Sequence, residues 1–328
     1  MKAPIRYPIS PIRVTTAYGR GVRSALRTIV LAVAALGLTS CAPRPAQEAR
    51  NGSRRDTHPI ESTFTFTVVP YEAAEQLNDD YTPMARYLGK AIGAKEGRFV
   101  SVVDYAGVLA ALETGSVDVA YLSPFPYALA MSRMKLKPIP LAMPWVLGNL
   151  MYRGVIFTRA DSGIKTLADL KNKTFAFGDV TSTTGFLLPK VMLMRAGVFD
   201  TLKWRNAGNA NMVAKAVENG AADAGAAYES VFQVVYRDEP EKTKLMRVIG
   251  HTDSIPNGIY VARGDLPNDT VKKLREAFLR MNSDPEGRKV MQRATNDKIV
   301  PVKDELFDPV RKAATALNLE LEALEKKD

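Results

Sequence analysis

The chain has 328 residues, 46% of them hydrophobic and 24% charged, which is enough for two domains with a sizeable core and outside the compositions of disordered chains. Its formal net charge of +10 suggests an acidic partner, but Lys2, Arg6, Arg13, Arg20, Arg23 and Arg27 fall within the first forty positions, leaving 39 basic against 35 acidic residues. With no basic stripe interleaved with aromatics and no recognition motif, a nucleic-acid partner loses its support.

Thr28 to Leu38 is an uncharged apolar run behind a basic segment, and it ends in Leu38-Thr39-Ser40-Cys41. That is the form of a bacterial lipobox, so residues 1–40 are expected to be a lipoprotein signal peptide and Cys41 the lipidated first residue of the mature chain. The run is shorter than the ~20 residues needed to span a bilayer. Residues 41–61, rich in Pro, Arg, Gly and Ser, are expected to be a flexible tether. The body would then sit in the periplasm or at the cell surface, anchored to the membrane through lipid on Cys41, with no cysteine left for a disulfide.

From Ser62 the pattern alternates strands with helices, the mark of an α/β protein with mostly parallel sheets flanked by helices. Strands are expected at Phe64 to Val69, Arg98 to Val103, Val117 to Leu122 and Met151 to Thr158, with helices at Gly107 to Thr114 and Pro126 to Met134. Pro138 to Pro144, broken by prolines, reads as an edge strand or loop. Further on come strand Thr174 to Phe177, helix Phe186 to Arg195, a strand near Trp204, helix Met212 to Asn219, strand Asp223 to Ala227, helix Ser230 to Tyr236, and strands Leu245 to Ile249 and Gly258 to Ala262. The remainder is helical: Asp269 to Met281, Pro285 to Ala294, and Glu305 to Lys326. Ala111-Leu112-Glu113-Thr114-Gly115-Ser116-Val117-Asp118 echoes Ala216-Val217-Glu218-Asn219-Gly220-Ala221-Ala222-Asp223, as two lobes of similar build would.

Asp179-Val180-Thr181-Ser182-Thr183-Thr184-Gly185 is the stretch with chemistry in it. A strand feeds a hydroxyl-rich turn that opens a helix, so free backbone N–H groups and the Ser182, Thr183 and Thr184 hydroxyls converge at a positive helix end. One N-cap requires less than this, and the turn reads as a seat for a small oxyanion. Four to six donors at about 1.5–3 kcal/mol each suffice for micromolar binding of a dianion after desolvation losses. Losing Ser182 and Thr183 together is expected to abolish binding without changing the stability of the ligand-free protein.

His58 and His251 are isolated, no nucleophile elbow is present, and neither the P-loop nor the dinucleotide fingerprint occurs. The expectation is therefore a binding protein with no catalytic residues, no metal site and no cofactor.

Asp104-Tyr105-Ala106-Gly107, Tyr121-Leu122-Ser123-Pro124, Ser182-Thr183-Thr184-Gly185-Phe186-Leu187-Leu188-Pro189, and Asn206-Ala207-Gly208-Asn209 followed by Gly220-x-x-Asp223 occur in this order. In this the chain resembles the phosphate, phosphite and phosphonate substrate-binding proteins of ABC transporters, the PhnD-like branch of type II periplasmic binding proteins. The resemblance implies two lobes, residues 62–158 plus 255–328 and residues 159–254, closing on ligand like a clamshell and delivering it to ABC permease subunits. It implies that Ser182, Thr183 and Thr184 bind the oxyanion, that Tyr105 and Tyr152 reach it from the other lobe, that Ser123 lies at the cleft, and that Glu229 stands where the family places an acid. For Tyr152 and Glu229, a rim tyrosine and a surface carboxylate are equal alternatives. Phosphonate binders carry a histidine where this chain has Asn209 and an acid where it has Asn257-Gly258, so the resemblance does not single out phosphonate, and phosphite, phosphate, another oxyanion or an unrelated small solute all stay open. A sensor presenting ligand to a membrane histidine kinase is the alternative on the same fold, and an enzyme on this scaffold is a further one.

Overall fold

The structure is a computed structural model and describes residues 62–317. The expected signal peptide, Cys41, the expected tether, His58 and the last residues of the helical segment expected from Glu305 to Lys326 lie outside the described residues.

The chain first builds β1 (Thr63–Val68), α1 (Ala74–Ile92), β2 (Glu96–Phe99), α2 (Tyr105–Thr114), β3 (Val119–Leu122), α3 (Pro124–Arg133) and β4 (Ile139–Val146). It continues through β5 (Met151–Tyr152), β6 (Gly154–Arg159), β7 (Thr174–Phe177), α4 (Leu188–Arg195), β8 (Lys203–Asn206), α5 (Ala210–Glu218), β9 (Ala224–Tyr228), α6 (Val231–Val235) and β10 (Met246–His251). It ends with β11 (Ile255–Pro256), β12 (Ile259–Ala262), α7 (Asn268–Arg280), α8 (Pro285–Arg293), β13 (Asn296–Val300) and α9 (Asp308–Ala316).

These strands form a six-stranded sheet in the order β13-β4-β12-β3-β1-β2 and a five-stranded sheet in the order β10-β6-β9-β7-β8, with a two-stranded ribbon of β5 and β11. The α/β, two-lobed expectation holds. Both sheets are mixed: β1 pairs in parallel with β2 and β3, and β7 with β8 and β9, while β4, β6, β10, β12 and β13 pair antiparallel. Helix α1 packs Leu77, Tyr81, Met84 and Leu88 on Phe64 and Phe66 in the core of the first sheet. Phe157 and Val213 lie in one core layer of the second sheet, and Phe175, Phe177 and Phe186 in the other.

Several expectations need correction. The expected strand from Met151 to Thr158 is two strands: Met151–Tyr152 pairs with Ile255–Pro256 in the ribbon, whereas Gly154–Thr158 pairs with Ala224–Tyr228 in the second sheet. Residues 154–158 therefore belong with the second lobe, and the first crossing falls at Arg153. Pro138 to Pro144 is neither edge nor loop, because β4 lies between β13 and β12. The register shift between Tyr260 and Val261 abuts the Val261–Pro140 pairing, and that between Asn296 and Lys298 lies one pair from Ile299–Pro144, and such irregularities are where a strand tolerates missing N–H donors. The second strand ends at Phe99, and Val103 is 96% exposed.

The internal echo has a physical counterpart. Asp118 Oδ2 accepts from Thr65 N and Oγ1, both at 2.8 Å. Asp223 Oδ2 accepts from Thr174 N and Oγ1 at 2.8 and 2.7 Å. Each Asp N–H returns a bond to the threonine hydroxyl, at 3.0 and 2.9 Å. Gly115 and Gly220 stand at φ 74° and 75°, left-handed turns that release each helix toward its Asp. One helix–turn–clasp–strand unit is thus used in each lobe.

Candidate functional site

The Asp179–Gly185 turn lies beyond the carboxyl end of β7, where ligands gather in open α/β sheets. Asp179 Oδ1 accepts from Thr181 N at 2.8 Å and Thr181 Oγ1 at 2.6 Å, and Ser182 N donates to the Asp179 carbonyl at 2.8 Å. Residues 183–187 form a π-type turn, with Leu187 N donating to the Ser182 carbonyl at 3.0 Å before α4 begins. This single wide turn draws Ser182, Thr183 and Thr184 to one place and is of a kind frequent at functional sites. Gly185 is required here, since a Cβ would lie 2.9 Å from Ser182 Oγ and 3.2 Å from Gly178 Cα.

The three hydroxyls divide their work. Ser182 Oγ accepts from Gly185 N at 3.1 Å and faces the Tyr105 hydroxyl. Thr184 faces the hydroxyl of Tyr152. Thr183 Oγ1 is turned to the other lobe, accepting from Phe125 N at 2.9 Å and lying 3.5 Å from Ser123 Oγ, the residue that precedes α3. Thr183 is thus an interlobe strut, and its loss carries a stability cost that the sequence reading did not include. Thr183→Ala is expected to lower the unfolding free energy by about 1–3 kcal/mol, since it strands the buried Phe125 N–H. Chemical denaturation of the ligand-free protein checks this, and an unchanged stability would return Thr183 to the ligand.

Tyr105 opens α2 behind Asp104, whose Oδ1 caps Gly107 N at 2.7 Å. Tyr71, Tyr105, Tyr121 and Tyr152 come together at the ends of the first-lobe strands, close enough to affect one another's ionisation. Burial raises all four; Tyr121 is pushed up to about 12, countered by the Gly258 N–H on its oxygen. Such hydroxyls stay protonated across the physiological range, and they are neutral donors of the kind that binds an oxyanion without a competing counter-charge.

The remaining expected residues are engaged locally. Asn209 caps α5, with Oδ1 accepting from Met212 N at 3.0 Å and Nδ2 donating to the Glu72 carbonyl at 3.3 Å. Exposed Glu229 accepts from Arg153 N at 3.1 Å through Oε1 and pins the crossing, within electrostatic reach of Tyr152. Asn257 is buried, its Nδ2 donating to the Asn149 carbonyl at 2.8 Å. At Gly258 an added Cβ would overlap the Leu122 carbonyl oxygen and the Tyr121 ring, so no acid fits.

The lobes touch on both flanks of this site. Phe125 and Leu129 of α3 pack with Leu187, Leu188, Ile255 and Val310. On the other flank Ala210 N donates to the Tyr71 carbonyl at 3.3 Å, and the Tyr228 hydroxyl donates to Glu72 Oε1. Sequence reasoning passed over Glu72 and did not assign Tyr121 a role. The usable signal was their position, directly after β1 and at the end of β3, where loops converge.

Two mixed-sheet lobes joined by crossing segments, with hydroxyl-bearing side chains facing across the cleft, define a ligand-binding protein of the type II periplasmic class. The chain belongs to the family described as "ABC transporter, phosphonate, periplasmic substrate-binding protein", whose model matches residues 66–307. It is similar to the phosphate-import protein PhnD of Mycolicibacterium smegmatis, 29% identical over 270 residues covering 76% of this chain and 84% of that one. It is also similar to the phosphonates-binding periplasmic protein of Escherichia coli, 26% identical over 257 residues covering 74% and 75%. In fold it matches PhnD1 of Prochlorococcus marinus in complex with methylphosphonate, with a TM-score of 0.71 and 19% identity over 78% of this chain and 98% of that chain. Membership makes the chain an extracytoplasmic substrate-binding protein of transport rather than an enzyme.

Proposed function

We propose that the chain is a lipid-anchored solute-binding protein that holds a small phosphorus oxyanion, whether phosphonate, phosphite or phosphate, between its lobes and presents it to ABC permease subunits. The observation that carries this reading is the hydroxyl turn reaching the first lobe, where Thr183 Oγ1 accepts from Phe125 N at 2.9 Å and lies 3.5 Å from Ser123 Oγ, with Tyr105 near Ser182 and Tyr152 near Thr184. Four hydroxyls from two lobes face one another, and a bound oxyanion bridging them stabilises the closed arrangement by its differential contacts with the two lobes. The names of the relatives, a phosphate importer and a phosphonate binder, favour the same class.

The departures at Asn209 and Gly258 bear on which oxyanion is preferred. The first uses its amide for a cap and an interlobe bond, and the second leaves no room for a side chain. In this reading lobe one comprises residues 62–153 plus 255–328 and lobe two residues 154–254, tethered by residues 41–61 to lipid on Cys41. Calorimetric titration with methylphosphonate, phosphite, phosphate and sulfate tests the ligand class. Micromolar binding of one or more phosphorus oxyanions and none of sulfate is expected; binding of none of them would sink the proposal. For the anchor, Cys41→Ser should move the protein from the membrane to the soluble fraction, and an unchanged distribution would remove the lipid.

A further inference from the structure

Glu72 lies in the segment between β1 and α1 and is only 4% exposed. Its Oε1 accepts from the Tyr228 hydroxyl at the end of β9, while its Oε2 is buried and accepts nothing. The Asn211 side chain on α5 faces the carboxyl, and Asn211 Oδ1 is likewise buried with no partner. Two orphaned acceptors in one interface are costly, because each has lost water and gained nothing. A hydrogen on Oε2, donated to Asn211 Oδ1, satisfies both with a single bond.

The same segment is held by its backbone. The Tyr71 carbonyl accepts from Ala210 N and the Glu72 carbonyl from Asn209 Nδ2, each at 3.3 Å. Every one of these partners belongs to the second sheet or its helix, so the Tyr71–Glu72 segment forms a clasp across the cleft. The groups facing the carboxyl are Tyr228 from β9, Asn211 from α5, Arg237 beyond α6 and Asp80 from α1, with Tyr71 from its own segment and Tyr105 from α2 within electrostatic reach.

We propose that Glu72 is a positioning residue for closure whose carboxyl is protonated between Tyr228 and Asn211 in the closed form, so that closing the lobes takes up one proton. This rests on the clamshell reading above but on no particular ligand. Burial raises the carboxyl from 4.5 to about 7; an Asn211 amide turned to donate to the ionised form and the Arg237 charge oppose the rise, and Asp80 adds to it. In the open form the group faces water and returns toward its ordinary value. A carboxyl raised on closing favours the closed form most at low pH. That advantage is lost as pH climbs from the open-form value to the closed-form one, and above it the dependence flattens.

The test compares the full chain with Glu72→Gln, whose amide supplies a fixed donor in place of the carboxyl proton. Affinity for methylphosphonate is measured by calorimetry from pH 5 to pH 8, and the ratio of the two proteins' affinities cancels the ligand's own titration. The ratio of wild type to variant is expected to fall about tenfold per pH unit between roughly pH 5 and 7 and then level off. A ratio constant with pH overturns the proposal. Should methylphosphonate bind neither protein, the ligand reading fails separately, and small-angle scattering of the ligand-free proteins decides. A wild-type radius of gyration that grows from pH 5 to pH 8 while that of Glu72→Gln stays fixed upholds the proton latch, and pH-independent radii in both proteins overturn it.

Discussion

Replacing Tyr105 and Tyr152 together by phenylalanine should weaken oxyanion binding by about 10²- to 10⁴-fold, since in the proposed complex each hydroxyl donates to a charged group and such bonds contribute about 1.5–3 kcal/mol. The rings remain, so the packing of Tyr105 against Val108 and Leu112 in the first lobe is kept. The thermal midpoint of the ligand-free protein is expected to move by only a few degrees. The loss should appear chiefly in binding, because burial keeps these hydroxyls protonated and the role proposed for them is donation to the ligand. Calorimetry on the double variant checks the expectation. Affinity within threefold of wild type would mean that the two tyrosines are packing residues and that the anion sits elsewhere.

Gly258→Asp, which places an acid where phosphonate binders carry one, should cost about 2–4 kcal/mol of stability and with it most of the binding. The added side chain would overlap the Leu122 carbonyl and the Tyr121 ring. It would also displace the Tyr121 hydroxyl, which lies 3.1 Å from Gly258 N and accepts its hydrogen. Since the Tyr121 ring packs tilted against Tyr260 at 5.3 Å between ring centroids, the disturbance would run into the first core. Thermal unfolding measures the outcome, and a stable variant with tighter phosphonate binding would show that the site relaxes to admit the acid.

Local patterns carried much of the architecture in the sequence. Gly115 and Gly220, each followed by an Asp and a small-residue strand, announced two lobes of like build, and the Thr65–Asp118 and Thr174–Asp223 clasps are the reason that spacing works. Helix α1 went unread although Leu77, Tyr81, Met84 and Leu88 repeat at helical spacing, because Pro83 sits inside it and acids crowd the segment. The placing of β4 inside a sheet was not legible, as the register shifts that tolerate its prolines belong to β12 and β13, over 100 residues away. The assignment of β6 to the second sheet depends on its pairing with β9 and β10, which no local signal encodes.

At the site, the Ser182-Thr183-Thr184-Gly185 run was legible as a hydroxyl-lined helix opening. Which hydroxyl points where was not, because Thr183 is turned by the Phe125 N–H of the opposite lobe. Asn209 looked like a ligand donor by position, yet the positive helix end it precedes and the carbonyl of Glu72 use its amide. Glu72 itself carried no motif. Its character comes from what the second lobe lays over it, Tyr228 and Asn211, and so exists only in the folded, closed arrangement.

A crystal structure grown with methylphosphonate tests the central claim most directly. The account predicts the phosphonate group lodged between the lobes, within hydrogen-bond reach of Ser182 and Thr184 on one side and of Tyr105 and Tyr152 on the other. A phosphonate found outside the cleft, or a cleft that stays empty with those four hydroxyls bonded only to one another, would contradict it.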